Sequence, residues 1–299
     1  MTMNMCTLPD SCKTLIIGSL TLDIRLQIDR LPVRTQDVNV FQQQFAVGGC
    51  AYNVYQAMTT LDPSPCLLTR MGTGIYAQVL QQQIEDDKGI IIERCSEENG
   101  CCYCLVEKDG ERSFLSVHGG EYHYPFAMIE AFDLSAIRCV YLCGIDLEET
   151  QNQRLLTILK NYPSIRLFFA PGPRAERLSA SCWRTLYEMH PILHMNEAEV
   201  CALMGCDSPE TAIQQAYARS KALVIVTMGE RGSMAYDGKH LIYAPASPCK
   251  VVDTIGAGDA HAGACLAMLQ QQIDVENMLK KANALAAQAV QCKGALQRK

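Results

Sequence analysis

Two periodicities alternate along this chain. Short, mostly apolar runs stand at positions 15–18, 66–71, 90–93, 139–143, 166–170, 192–195 and 222–228. A strand with one wet face would alternate polar and apolar side chains, so these runs predict strands covered on both faces. Longer stretches with apolar residues recurring every three to four positions cover 48–61, 74–88, 149–161, 178–189, 197–204, 209–220, 260–270 and 275–291 and predict helices. Gly89 supplies a stop for the second of them. The alternation of strand and helix predicts an α/β fold with a central, mostly parallel sheet flanked by helices. Ligands of such sheets bind beyond the carboxyl ends of the strands.

Two stretches break the alternation. Residues 24–46 mix polar and apolar positions in a strand-like way, with no helix between them. Residues 101–117 contain Lys108-Asp109-Gly110-Glu111, and Asp-Gly between two β-like runs signals a hairpin. Together they predict a small sheet apart from the main one. No repeat or low-complexity tract is present, and the short glutamine clusters read as solvent-facing surface.

Composition narrows the class. With 299 residues and 48% apolar content, the chain can bury a large core, as one domain or two small ones. A net charge of −6 excludes a general nucleic-acid binder, which needs clustered Lys and Arg. A nucleotide remains possible through Mg²⁺ and backbone donors. No apolar run approaches the roughly 18 residues of a membrane helix, so no membrane partner is expected. The first twelve residues lack the basic and apolar regions of a signal peptide, which predicts a cytoplasmic protein. Most of the 16 cysteines fall inside apolar strand or helix patterns and read as reduced, buried small hydrophobes. The cluster Cys101-Cys102-Tyr103-Cys104 lacks the partner pair of a zinc site.

The chemistry concentrates in Asp253-Thr254-Ile255-Gly256-Ala257-Gly258-Asp259, just before a predicted helix. Glycines let backbone N–H groups approach an anion, and a helix N-terminus adds its positive dipole. Asp259 also suits a helix N-cap, but a cap does not explain the glycines before it. The segment resembles the D-T-x-G-A-G-D signature of the PfkB/ribokinase family of carbohydrate kinases. Further segments are similar to that family in the same order. They are Gly48-Gly49-Cys50-Ala51-Tyr52-Asn53 (G-G-x-x-x-N), Asn196-Glu197-Ala198-Glu199 (N-x-x-E) and Thr227-Met228-Gly229-Glu230-Arg231-Gly232 (T-x-G-x-x-G).

The resemblance implies a ribokinase-like fold over residues 1–299, with 24–46 and 101–117 as β-lid insertions. It implies phosphoryl transfer from ATP with Asp259 as base and the amides of Gly256, Ala257 and Gly258 as anion hole. Asp23, Gly48, Gly49 and Asn53 would bind the sugar. Asn196, Thr227, Gly229 and Gly232 would bind nucleotide, with Asn283 near the base. Glu199 would hold Mg²⁺ through water, and Asp253 would be a ligand of a monovalent cation, K⁺. Each has a plainer reading. Asn196 and Glu199 suit a capping box, Thr227 to Gly232 a hairpin turn, and Asp253 a hydrogen bond to its own loop. The dipole at the helix start lowers the expected pKa of Asp259.

Three positions depart from the family. His261 stands where a Phe is usual, and we read it as a packing residue. Thr73 and Ala170 stand where an acid, or Asp or Asn, is usual. His190 and His194 are four apart, but Pro191 makes that segment extended and unsuited to a helical metal pair. The substrate reading is a free sugar, with a nucleoside as the alternative and a catalytically silent sugar-binding regulator outside the enzymes. An aromatic wall from Phe41 or Tyr103 would favour a nucleoside, and Arg112 or Arg174 in the pocket a sugar phosphate. A dehydrogenase lacks its G-x-G-x-x-G after the first strand, and no Walker-A segment occurs. An exposed lid edge offers a surface to a second copy, a homodimer through the lid.

Overall fold

The computed structural model describes residues 8–62, 64–84, 86–292 and 294. In chain order the strands are β1 (Thr14–Ile17), β2 (Thr21–Ile28), β3 (Val40–Gly48), β4 (Cys66–Thr73), β5 (Ile90–Glu98), β6 (Cys101–Val106) and β7 (Arg112–Val117). They continue with β8 (Cys139–Cys143), β9 (Arg166–Ala170), β10 (Ile192–Asn196), β11 (Val224–Thr227), β12 (Ser233–Tyr236) and β13 (Leu241–Ala244). The helices are α1 (Cys50–Thr59), α2 (Gly74–Ile84), α3 (Phe126–Ala131), α4 (Gly144–Leu147) and α5 (Arg154–Leu159). After them come α6 (Ala180–Glu188), α7 (Glu197–Met204), α8 (Pro209–Ser220), α9 (Ala257–Gln270) and α10 (Val275–Ala289).

Nine strands form one sheet in the order β13-β12-β11-β10-β9-β8-β1-β4-β5. From β11 to β5 neighbours run parallel, while β12 and β13 add an antiparallel edge. The mostly apolar runs are explained by a core on each face. Ile16 packs on one side among residues of α1, α9 and α10. Its neighbours Leu15 and Ile17 pack on the other, among residues of α6, α7 and α8. The second sheet has four strands in the order β3-β2-β6-β7. Leu22, Ile24, Val47 and Cys101 anchor it in the first core.

Most elements fall where the pattern places them, and the exceptions have local causes. The helix expected over 149–161 opens with a 3₁₀ turn, Thr150–Gln153, before α5. Asn152 is buried there. Its amide donates to the carbonyls of Tyr122 and Asp146, and its oxygen accepts from Tyr124 N, which fixes a tighter turn. The helix expected from 48 begins at Cys50, because Gly48 ends β3 and Gly49 turns the chain at φ 97°. Strand β13 and the six-residue α3 carry too little periodicity to be foreseen.

One glycine positions the site. A Cβ at Gly263 in α9 would lie 2.6 Å from the Val54 carbonyl and 2.7 Å from the Ala57 methyl in α1. Its absence lets the two helices touch. The described cysteines are all free. Among the described residues no helix is long and apolar enough to cross a membrane.

Candidate active site

The loop into α9 brings backbone amides to a helix N-terminus. Gly256 caps the helix at φ 74°, a left-handed turn that favours glycine. The amide of Ala257 donates to the Thr254 carbonyl at 3.3 Å, which closes the turn. The following first-turn amides have no intrahelical acceptor and face outward. A Cβ at Gly258 would meet nothing within 4 Å, so this glycine borders open space.

Asp259 follows in the first turn of α9. The close approach at Gly263 brings Asn53 of α1 to it, and Asn53 Nδ2 donates to Asp259 Oδ2 at 2.9 Å. The other amide atom, Asn53 Oδ1, is buried and has no partner among the described residues. Burial pushes the Asp259 carboxyl up to about 6, helped by the charge of Glu199, against the Asn53 hydrogen bond. The helix dipole was expected to lower it; desolvation outweighs the dipole. The group is still ionised at pH 7.

Asp23 lies on β2, paired with Ala46 of β3 and Cys102 of β6. A Cβ at Gly48 would sit 2.2 Å from the Asp23 carboxylate, so only glycine leaves that acid its place. At Gly49 a Cβ would strike the Ser19 carbonyl at 2.5 Å. Burial raises Asp23 to about 7, and the charge of Asp259 adds to it. The four expected sugar-binding positions, Asp23, Gly48, Gly49 and Asn53, thus gather around the candidate base.

Two cavities meet at this loop. One of about 540 Å³ is bordered by Thr227, Gly229, Gly232, Ala257, Gly258 and Asn283. The other, about 200 Å³, is bordered by Asn196, Glu199, Thr227, Gly258, Asp259 and Arg174. Thr227 and Gly258 border both cavities. The turn after Thr227 is also a hairpin, since Thr227 pairs with Ser233. Asn283 is buried and borders the larger cavity; its amide donates to the carbonyls of Ala244 and Pro245, and its side chain also interacts with His261.

Asn196 and Glu199 form the full capping box. Asn196 Oδ1 accepts from Glu199 N at 2.8 Å, and Glu199 Oε2 accepts from Asn196 N at 3.0 Å. That leaves Oε1 of Glu199 free for the cavity it shares with Asp259. Burial raises the Glu199 carboxyl above its ordinary value. A divalent cation would offset that cost, and few carboxylates suffice for Mg²⁺, so this acid fits the ion.

Asp253 departs from expectation. It is buried, and two guanidinium groups of the small sheet reach it. Arg25 of β2 pairs with Oδ2, and Arg112 Nη2 of β7 lies 2.8 Å from Oδ1. The amide of Ile255 donates to Oδ1 at 3.0 Å and that of Gly294 to Oδ2 at 2.8 Å. Burial works to raise this carboxyl, but the two amides and Arg25 outweigh it and hold it below its ordinary range. Both oxygens are taken, so a cation ligand does not fit here. The plainer reading, a bond to its own loop, holds.

His261 is buried and also borders the larger cavity. Its Nδ1 lies 2.9 Å from His194 Nε2 and 3.5 Å from Cys265 Sγ. These are the residues whose metal-ligating atoms converge among the described residues. A single shared proton accounts for the histidine contact. Burial drops His194 to about 4 and His261 well below its ordinary value, so both rings are neutral. His190, by contrast, bonds the Ser220 carbonyl, and the two histidines form no helical pair.

Sequence reasoning did not foresee Arg25. Nor did it foresee Asp146, a fully buried acid that binds Ser19 N at 3.4 Å and the Cys143 thiol at 3.1 Å. Neither lies in a motif. Arg25 sits in a polar-apolar strand and Asp146 beyond an apolar one, and nothing in the spacing singles them out.

Residues 13–298 match the sequence profile of the pfkB family carbohydrate kinases. The chain belongs to that family. It is therefore an ATP-dependent carbohydrate kinase. It is 28% identical over 285 residues to the uncharacterized sugar kinase YegV of Escherichia coli (strain K12), covering 94% of this chain and 89% of that protein. The fold matches the ribokinase from Thermotoga maritima with a TM-score of 0.81 at 23% identity, over 95% of this chain and 94% of that one. It also matches the nucleoside kinase of Burkholderia thailandensis in complex with inosine, with a TM-score of 0.77 at 17% identity, over 95% and 94%. The fold is ribokinase-like.

Proposed function

We propose that this kinase transfers the terminal phosphoryl group of ATP to a hydroxyl of a free, unphosphorylated sugar. Asp23 and Asn53 hold the sugar against the backbone of Gly48 and Gly49. Asp259 accepts the hydroxyl proton, which leaves late in a loose transition state. The amides at the start of α9 take the developing charge. Nucleotide lies in the larger cavity against Thr227, Gly229 and Gly232, with Asn196 near its phosphates and Asn283 near its base. Glu199 holds Mg²⁺ through water, and the ion supplies charge neutralisation on the phosphates.

The observation that carries this reading is Asp23 within reach of the charge of Asp259, and Asn53 bonded to Asp259 through Nδ2 with its buried Oδ1 lacking a partner among the described residues. Acids and an amide oxygen accept from hydroxyls and repel phosphate. Of the arginines that could serve a sugar phosphate, Arg174 borders the smaller cavity, yet both are paired with acids. Arg112 binds Asp253, and Arg174 binds Glu148 at 2.6 Å. A nucleoside would need an aromatic wall. Phe41 is exposed, with Lys108 over its ring, and the Tyr103 hydroxyl is bound to that of Tyr76.

The small sheet serves as a lid on the sugar, within one domain spanning residues 1–299. Phe41, Phe45, Phe114 and Leu115 are each more than half exposed on it and would pair with a second copy. Free buried thiols suit a cytoplasmic protein. A coupled ADP-release screen over sugars, sugar phosphates and nucleosides tests the acceptor. Turnover confined to nucleosides or sugar phosphates would overturn the free-sugar reading, and light scattering would report the dimer.

A further inference from the structure

The resemblance to the family implies a monovalent cation beside the anion hole, and the residues present do not fit one. We propose that Arg25 and Arg112 are a resident cation: their guanidinium groups take the place of a soluble K⁺ and position the loop from Asp253 to Asp259.

Both oxygens of Asp253 are engaged among the described residues, while Arg25, Arg112 and Asp253 also border a cavity of about 190 Å³. Asp253 takes Arg25 on one oxygen and Arg112 on the other, and each oxygen also takes a backbone amide. Four donors fill the acceptor sites of one carboxylate. Arg112 Nη1 donates further to Thr254 Oγ1 at 2.7 Å, so one side chain holds two successive residues of the loop. A Cβ on Gly294 would lie 2.8 Å from Arg25 Nη1, so that guanidinium packs against the backbone where a loop carbonyl would otherwise face a cation. Side-chain exposure is 4% for Asp253 against 14% for Arg25 and 20% for Arg112, so the carboxylate lies beneath the two guanidinium groups.

Charge agrees with geometry. Two guanidiniums on one carboxylate leave a net single positive charge beside the amides at residues 256–258. A third cation would be repelled, while a phosphate approaching α9 is attracted. Other charges near the cluster are committed: Lys108 pairs with Asp29, and Glu107 Oε2 accepts from Leu31 N. Both arginines stand on the small sheet, on β2 and β7. The loop that binds phosphate is thus tied to the sheet that faces the sugar, and the tie is electrostatic.

This inference rests on the anion-hole reading of residues 256–259, and ADP binding tests it without any assumption about the acceptor. Calorimetry would compare ADP affinity in K⁺ and in tetramethylammonium at constant ionic strength for the intact protein, Arg25→Ala and Arg25→Lys. The intact protein is expected to show the same affinity in both salts, within about 2-fold. Arg25→Ala should lose about 10-fold in tetramethylammonium and recover most of that loss in K⁺ or in millimolar guanidinium. Arg25→Lys should lie between the two. A several-fold dependence of the intact protein on K⁺ would overturn the inference, whatever the variants do. A native-like melting Arg25→Ala with unchanged affinity, or with a loss that no small cation repairs, would overturn it as well. If ADP binding behaves as expected and no sugar is turned over, the acceptor reading falls and the resident cation stands.

Discussion

Replacing Asp259 by Asn should nearly abolish turnover and at the same time stabilise the protein. Burial lifts this carboxyl from its ordinary 3.8 to about 6. Holding it ionised at pH 7 therefore costs about 3 kcal/mol of folding stability as an upper figure, at about 1.4 kcal/mol per pH unit. The sign follows from the raised value. Relative to an unperturbed acid, the native state is favoured below pH 4 and loses that advantage as pH rises through 6. An amide at position 259 never pays this cost and can still accept from Asn53 Nδ2, though without the help of charge. We expect a net gain of about 1–2 kcal/mol at pH 7.5, at about 1.6 °C in Tm per kcal/mol for a chain of this size. The gain should shrink toward zero near pH 4.5. Turnover should drop about 100-fold or more, with ATP affinity retained. Calorimetric melting between pH 4.5 and 8 and a coupled assay are the measurements. A variant less stable than the parent at pH 7.5, or one keeping more than a tenth of its turnover, would refute the reasoning.

Asn53→Ala removes a bond that lowers the Asp259 carboxyl, so the acid limb of the pH–kcat profile should move upward from about 6 by a measurable fraction of a pH unit, with kcat down about 10-fold. Gly48→Ala drives a methyl into the Asp23 carboxylate, so the KM of the acceptor should rise about 10-fold or more while that of ATP stays within 2-fold. Glu199→Gln keeps the capping box, because glutamine also accepts from Asn196 N, yet withdraws the charge. Its Tm should stay within about 2 °C of the parent, whereas the Mg²⁺ concentration for half-maximal rate should rise several-fold. An unchanged metal titration would remove Glu199 from the metal site.

The parallel sheet was legible because burial on both faces writes itself as mostly apolar runs, as in Leu15-Ile16-Ile17. The loop before α9 was legible for a similar reason: Gly256 and Gly258 are costly in a chain unless a turn or a ligand requires them. What the sequence hid is long-range. Asp253 and Arg25 are 228 residues apart, and only the docking of the small sheet brings them together. A lone carboxylate in a motif reads as a ligand for something positive; that the positive group is a side chain from another sheet leaves no local trace. The same holds for Asp259, whose dipole is local and visible but whose desolvation is set by α1 and is not.

These long-range terms share one physical consequence. Asp23, Asp259 and Glu199 each carry a carboxyl raised by burial, and the charge of Asp259 raises Asp23 just as that of Glu199 raises Asp259. A core that only had to be stable would not keep three such acids so near one another. Each loses part of its strain when its own partner arrives: a sugar hydroxyl that donates to Asp23, a reacting hydroxyl at Asp259, a hydrated Mg²⁺ at Glu199. The first arrival lowers the repulsion felt by the next acid, so the three should bind with positive coupling, and the coupling should weaken as the acids are protonated below pH 6. On the opposite side of the same loop, the paired arginines hold the compensating charge. Under the proposed function the acids would prepare the site for a hydroxyl and a metal, and the arginines would prepare it for a phosphate.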